Sequence, residues 1–141
     1  MRASQILLLI SVLLFVGFLA SPAFVDSVDG NGTVTMSPGL GAVLWWALIL
    51  PSAVGHSRLD TVLLVPLLLA QVAFVALPIL VLLRRFRSLA LRMLFCVLFV
   101  IGFISMASVI GRSERVGFGA YLWLLAAVAA ATFCFLPQYD T

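Results

Sequence analysis

The chain has 141 residues, of which 65% are hydrophobic and 9% charged, with a mean hydropathy of +1.29. Soluble domains carry about 25% charged residues, so a water-soluble globule could not cover this much apolar surface. The formal charge of +3 rests on eight basic residues, all arginines set beside apolar runs, which reads as membrane topology rather than nucleic-acid binding.

In chain order, residues 5–24 follow Met1-Arg2 and end near Ala20-Ser21-Pro22-Ala23, the charged start, apolar middle and small-residue end of a signal peptide. The run is nearly long enough to span and further spans follow, so it is read as a retained first helix. Residues 25–40 carry Asp26, Asp29, Gly30, Asn31, Gly32, Ser37, Pro38 and Gly39 with no basic residue, an exposed turn-rich stretch. Alternation in Thr33-Val34-Thr35-Met36 allows a short strand. Asn31-Gly32-Thr33 matches the glycosylation sequon, a tripeptide that usually arises by accident.

Residues 41–54 form an apolar stretch holding Trp45, Trp46 and Pro51. At 1.5 Å per residue it reaches only about 21 Å of a hydrocarbon core about 30 Å thick, which suits a re-entrant or interfacial helix in an outer loop spanning 25–60. The indoles of Trp45 and Trp46 then belong at headgroup level. Residues 61–83 make a full crossing that carries Pro66, Gln71 and Pro78. A basic turn with Arg84, Arg85, Arg87 and Arg92 leads to a span over 89–110, and Arg112, Glu114 and Arg115 precede a last span over 118–136.

Lipid-exposed backbone has no water to bond, and these long unalternating runs exclude a barrel, so the expected fold is an all-α integral membrane protein: a four-helix transmembrane bundle forming one domain. With 41–54 kept on the outer side, Arg2, Arg84, Arg85, Arg87 and Arg92 face inward against Arg58, Arg112 and Arg115 outside. Making that stretch span would equalise the two counts, so four spans with both termini cytoplasmic are expected. Tyr121 and Trp123 then fall near the outer end of the last helix as interface aromatics. The setting is read as a bacterial or archaeal plasma membrane.

Three features could carry function. Gln71 sits mid-helix, where an amide should face the bundle and find a partner; it is either an interhelical hydrogen bond or a solute contact beside proline-freed carbonyls. His56 and Asp60 are spaced i,i+4 and would share a face if helical, as an acid–base pair; the plainer roles are a wet loop histidine and a helix-capping aspartate. Arg84, Arg85, Arg87 and Arg92 could hold an anionic lipid headgroup or simply anchor the topology. Small residues four apart, Gly17 and Ser21, Ala107 and Gly111, Ala126 and Ala130, Ala127 and Ala131, let helices approach closely.

Absences narrow the classes further. No acidic residue lies within an expected span, so the coupling carboxylate of a proton-driven exporter is missing. Cys96 and Cys134 are isolated in apolar segments, which fits neither a redox pair nor a metal set, and no cofactor is implied. The reading that remains is a small non-enzymatic protein acting through protein or lipid contacts, such as an accessory subunit, an assembly factor or an immunity protein. Its partners would be membrane lipids and a membrane protein or further copies of itself. The alternatives are a homo-oligomeric channel or transporter for a small solute, and a membrane enzyme using His56 and Asp60.

Overall fold

A computed structural model of the chain describes residues 2–28, 30–31, 34–56, 58–112 and 116–136. At 25–28, 34, 35, 37, 45, 49–56 and 58–63 the description covers the backbone alone. The elements run α1 (Ala3–Ala20), β1 (Pro22–Val28), β2 (Val34–Pro38), α2 (Gly39–His56), α3 (Arg58–Leu82), α4 (Leu89–Arg112) and α5 (Phe118–Phe135). Four helical segments are long and apolar enough to cross a membrane: Ala3–Ala20, Leu64–Leu82, Leu89–Arg112 and Phe118–Phe135. The protein is a four-span helical bundle with a further helix, α2, between the first two spans. Its outward side chains are apolar as well, Leu13, Val72, Ile104 and Val128 among them, as expected of helices solvated by lipid.

The first helix ends four residues earlier than composition suggests. Pro22 has no N–H to continue the ladder, so the chain leaves the helix at Ser21, whose own N–H closes back on the Gly17 carbonyl at 2.9 Å. The turn-rich stretch then forms an antiparallel hairpin from Pro22 opposite Pro38 to Val28 opposite Val34, with register shifts between Pro22 and Phe24 and between Val25 and Ser27. This is more strand than the alternation at residues 33–36 announces, because β1 carries no clean alternation of its own.

The hairpin ties three elements to one end of the bundle. Gly39 donates to the Ser21 carbonyl at 3.2 Å, so α2 starts where α1 stops. Val116 bridges to Phe24, and Gly117 donates to the Ala23 carbonyl at 2.9 Å, so α5 starts there too. Glycine is required at this join: a Cβ on Gly117 would collide with the Pro22 carbonyl, and one on Gly39 with the Phe18 carbonyl. α3 runs away from this end, since its Ala70 meets Gly102 in mid-bundle while the turn after it packs Phe86 on Phe95 and Phe133. Hence α2 leaves and returns on the hairpin side, although its 18 residues make it longer than the expected 41–54.

The core is an aromatic layer centred on Phe74 of α3. Its ring stacks on Phe15 of α1 at 4.5 Å, tilts against Phe99 of α4 at 4.8 Å and takes the edge of Trp123 of α5 at 5.4 Å. Phe74 therefore touches one aromatic residue on each of the other three spans. Nearer the arginine end, Phe86 meets Phe95 at 5.4 Å and Phe133 at 5.9 Å. The small residues explain how the helices come close enough: a Cβ on Gly102 would lie 2.6 Å from the Ala70 Cβ and 3.1 Å from the Trp123 ring. Replacing Gly102 by Ala should therefore destabilise the bundle by about 1–3 kcal/mol through overpacking. Unfolding titrations in mixed micelles read this directly, and an unchanged midpoint would contradict the close approach.

Candidate functional site

Gln71 lies on α3 between Ala70 and Phe74, both in the core, and only 6% of it is exposed. The sequence placed it inside the bundle, and there it is. The expected hydrogen bond is not formed: neither Oε1 nor Nε2 has a partner among the described residues. Hydroxyls of the bundle bond to backbone carbonyls instead. Ser108 bonds the Ile104 carbonyl at 2.9 Å and Thr132 the Val128 carbonyl at 2.8 Å, each on its own helix four residues back. Ser11, which the sequence analysis did not single out, donates across the bundle to the Ala126 carbonyl at 3.1 Å and is buried. That contact is an interhelical polar bond, but it joins α1 to α5 and does not involve Gln71.

Trp123 is a second correction. Expected among the interface aromatics, it is fully buried, and its Nε1 also lacks a partner among the described residues. The mutual fit of Phe74 and Gly102 around the indole outweighs its preference for the headgroup layer, five residues into a helix whose start is covered by the hairpin. Tyr121 is exposed, whereas Trp46 is buried edge-on to Phe24 at 5.3 Å. The side chains of Trp45, His56 and Asp60 lie outside the described residues. Their backbone still bears on the acid–base reading, because α2 ends at His56 and α3 begins at Arg58. The two residues stand on different helices, so the i,i+4 spacing does not place them on one helical face.

The arginines divide into two kinds. Arg84 and Arg85 close α3 with paired backbone bonds, Arg84 to the Val81 carbonyl at 3.0 Å and Arg85 to the Leu80 carbonyl at 2.9 Å. This is the Schellman ending, in which the residue at Arg84's place takes a left-handed conformation and is usually glycine. Arg84 adopts it, with φ of 55°. Both side chains are exposed, as is that of Arg87. Arg92 is different: half-buried on the first turns of α4, it donates from Nε and Nη2 to the Cys134 carbonyl at 3.0 and 2.8 Å and from Nη2 to the Leu136 carbonyl. It thus satisfies carbonyls that the end of α5 leaves open, with a cation placed at the negative end of the helix dipole.

Cys96 and Cys134 are both buried and unbridged. Among the described residues no group of three or more potential metal ligands occurs. Of the small-residue pairs, three are used within the chain: Ala126, Ala127 and Ala130 are buried, and a Cβ on Gly17 would lie 3.3 Å from Leu122. Ala107 and Gly111 are exposed, and a Cβ on Gly111 would meet nothing within 4 Å.

Between α4 and α5 lies a groove of about 380 Å³ lined by Cys96, Phe99, Phe103, Ala127, Ala131 and Phe135, with Val100, Val128 and Thr132 at its rim. Gln71 does not line it. Comparison with protein-family models, curated proteins and solved structures finds no match to this chain.

An unpartnered buried amide costs about 1–3 kcal/mol, and removing it leaves nothing else unsatisfied here. Gln71→Leu should accordingly leave stability unchanged or raise it by up to about 2 kcal/mol. A clear fall in the unfolding midpoint of the Leu variant would mean that the amide does hold a partner.

Proposed function

We propose that this chain is a small non-enzymatic membrane protein that works by contact with another membrane protein, as an accessory, assembly or immunity-type subunit. The supporting observation is the division of its small residues. Ala126, Ala127 and Ala130 are covered within the chain, while Ala107 and Gly111 lie on an outward strip of α4 continued by Ile104, all exposed. Helices associate in lipid by close packing at such residues, since lipid tails are as apolar as side chains and give no hydrophobic drive. The interior argues in the same direction. At the level of Phe74 the space between the four spans is filled by rings, which leaves the outer faces for binding.

A photoreactive benzoylphenylalanine in place of Ala107 should give one discrete cross-linked product in native membranes. Gly111→Leu, which has room within the chain, should weaken that product several-fold without lowering expression. A diffuse smear of products, or a product indifferent to Gly111→Leu, would count against the reading.

The same reading sets the orientation. α1 starts opposite the hairpin, so Arg2 joins Arg84, Arg85, Arg87 and Arg92 at one end of the bundle, and Arg58 and Arg112 belong to the other. We assign the arginine-rich end to the cytoplasm on the bias of basic residues near helix ends. Cysteine placed at Ser27 should react with an impermeant maleimide on intact cells, and cysteine at Ser88 should react only after lysis. The reverse pattern would invert the protein.

A second reading, a homo-oligomeric channel or transporter for a small solute, is favoured by the unpartnered amide of Gln71. It requires solute flux into protein-loaded liposomes above the protein-free background, and loss of that flux in Gln71→Leu.

A further inference from the structure

We infer that the groove between α4 and α5 seats one acyl chain of an anionic phospholipid whose headgroup lies against the arginine end of the bundle. The inference goes beyond a protein contact on α4 and does not depend on it, because the groove is formed by α4 and α5 together.

The shape of the groove selects the occupant. Its α4 wall runs from Cys96 to Phe103, about 10 Å of helix, so a volume of about 380 Å³ leaves a cross-section of about 35 Å². A helix about 10 Å across has about twice that cross-section, whereas a single hydrocarbon chain fits. Ala127 and Ala131 make the recess by being small where Phe103 and Phe135 stand at either end. The surface is apolar throughout, for Thr132 turns its hydroxyl back to the Val128 carbonyl at 2.8 Å.

Charge selects the headgroup. Arg92 stands one turn before Cys96, on the stripe that continues through Phe99 and Phe103, and so marks the end of the groove nearest the membrane surface. Its bonds to the Cys134 and Leu136 carbonyls occupy Nε and Nη2. Nη1 carries two further N–H groups, and the partners of the guanidinium among the described residues are neutral carbonyls. Arg84 and Arg85 are exposed at the same end. Arg84 stands in a left-handed position where glycine is the favoured residue, which fixes where its side chain leaves the turn. A phosphodiester headgroup bearing net negative charge complements this rim, and a zwitterionic one does so only in part.

The test is native mass spectrometry of the full chain extracted from vesicles of equal parts phosphatidylglycerol and phosphatidylcholine. The wild type should retain a single phosphatidylglycerol, preferred about fivefold or more over phosphatidylcholine for the contribution of even one arginine. Arg84→Gly, which suits the backbone of the turn, should move that preference toward parity. Val128→Trp should cover the groove from its exposed rim and remove retained lipid of both kinds, while leaving any cross-linking at position 107 intact. Ala131→Leu fills the floor of the groove and answers the same question should the tryptophan variant fail to fold. Equal retention of the two lipids by the wild type would overturn the inference, as would lipid retained undiminished when the groove is filled. So would a dimer that disappears with Val128→Trp, which would give the groove to a second copy of the chain.

Discussion

Phe74 is the contact on which the bundle turns. Water drives apolar segments into the membrane, but once there a helix gains nothing from burying Leu against Leu rather than against lipid, and association rests on the quality of packing. One ring on α3 meets a ring on each of α1, α4 and α5. The offset and edge-on arrangements are the favourable ones for aromatic quadrupoles, each pair adding about 0.5–1.5 kcal/mol to simple contact. For those rings to converge, the backbones must close up beside them, and this is what Gly102 against Ala70, and the alanine face of α5, allow. The large and the small residues of this core are one device.

The hairpin and Arg92 pin opposite ends of that device. At one end backbone groups left over from α1 are bonded to the starts of α2 and α5 through Ser21, Ala23, Gly39 and Gly117. At the other end a side chain of α4 supplies the donors that the last turn of α5 lacks. Both solutions meet the same need: helix termini carry open donors and acceptors, and near hydrocarbon there is little water to satisfy them.

Much of this architecture was legible from the chain because hydropathy and length are strong signals in membrane proteins. The four spans fall within a few residues of where composition puts them, whereas the helix around Trp46 runs to 18 residues, as long as α1 and α5, so the short length read from 41–54 does not hold. What escaped was decided by partners distant in sequence. Nothing near Trp123 announces that Gly102 and Phe74 will enclose it, so its indole was given to the headgroup layer. Ser11 reads as an ordinary small residue in an apolar run, and its bond depends on Ala126, 115 positions away. Gln71 was legible as buried, because polarity in mid-span has one tolerable direction, yet its neighbours could not be read from its own helix. Arg92 looked like one more charge in a cluster, since the carbonyls it serves lie at the far end of the next helix.

The pairing of α1 with α5 bears on how such a chain is made. Of these five helices α1 emerges before the others, and the surface it is built to meet, including the Ala126 carbonyl that accepts from Ser11, is carried by the last of them. Until then α1 has α2 and the Phe74 ring of α3 to lie against but not its largest partner surface, and the hairpin lacks the Gly117 amide that Ala23 accepts. The bundle is therefore a ring whose clasp is synthesised last. During that interval the unclosed first helix is open to whatever else the membrane offers, which makes assembly itself the stage at which a neighbour or a chaperone has the most to bind.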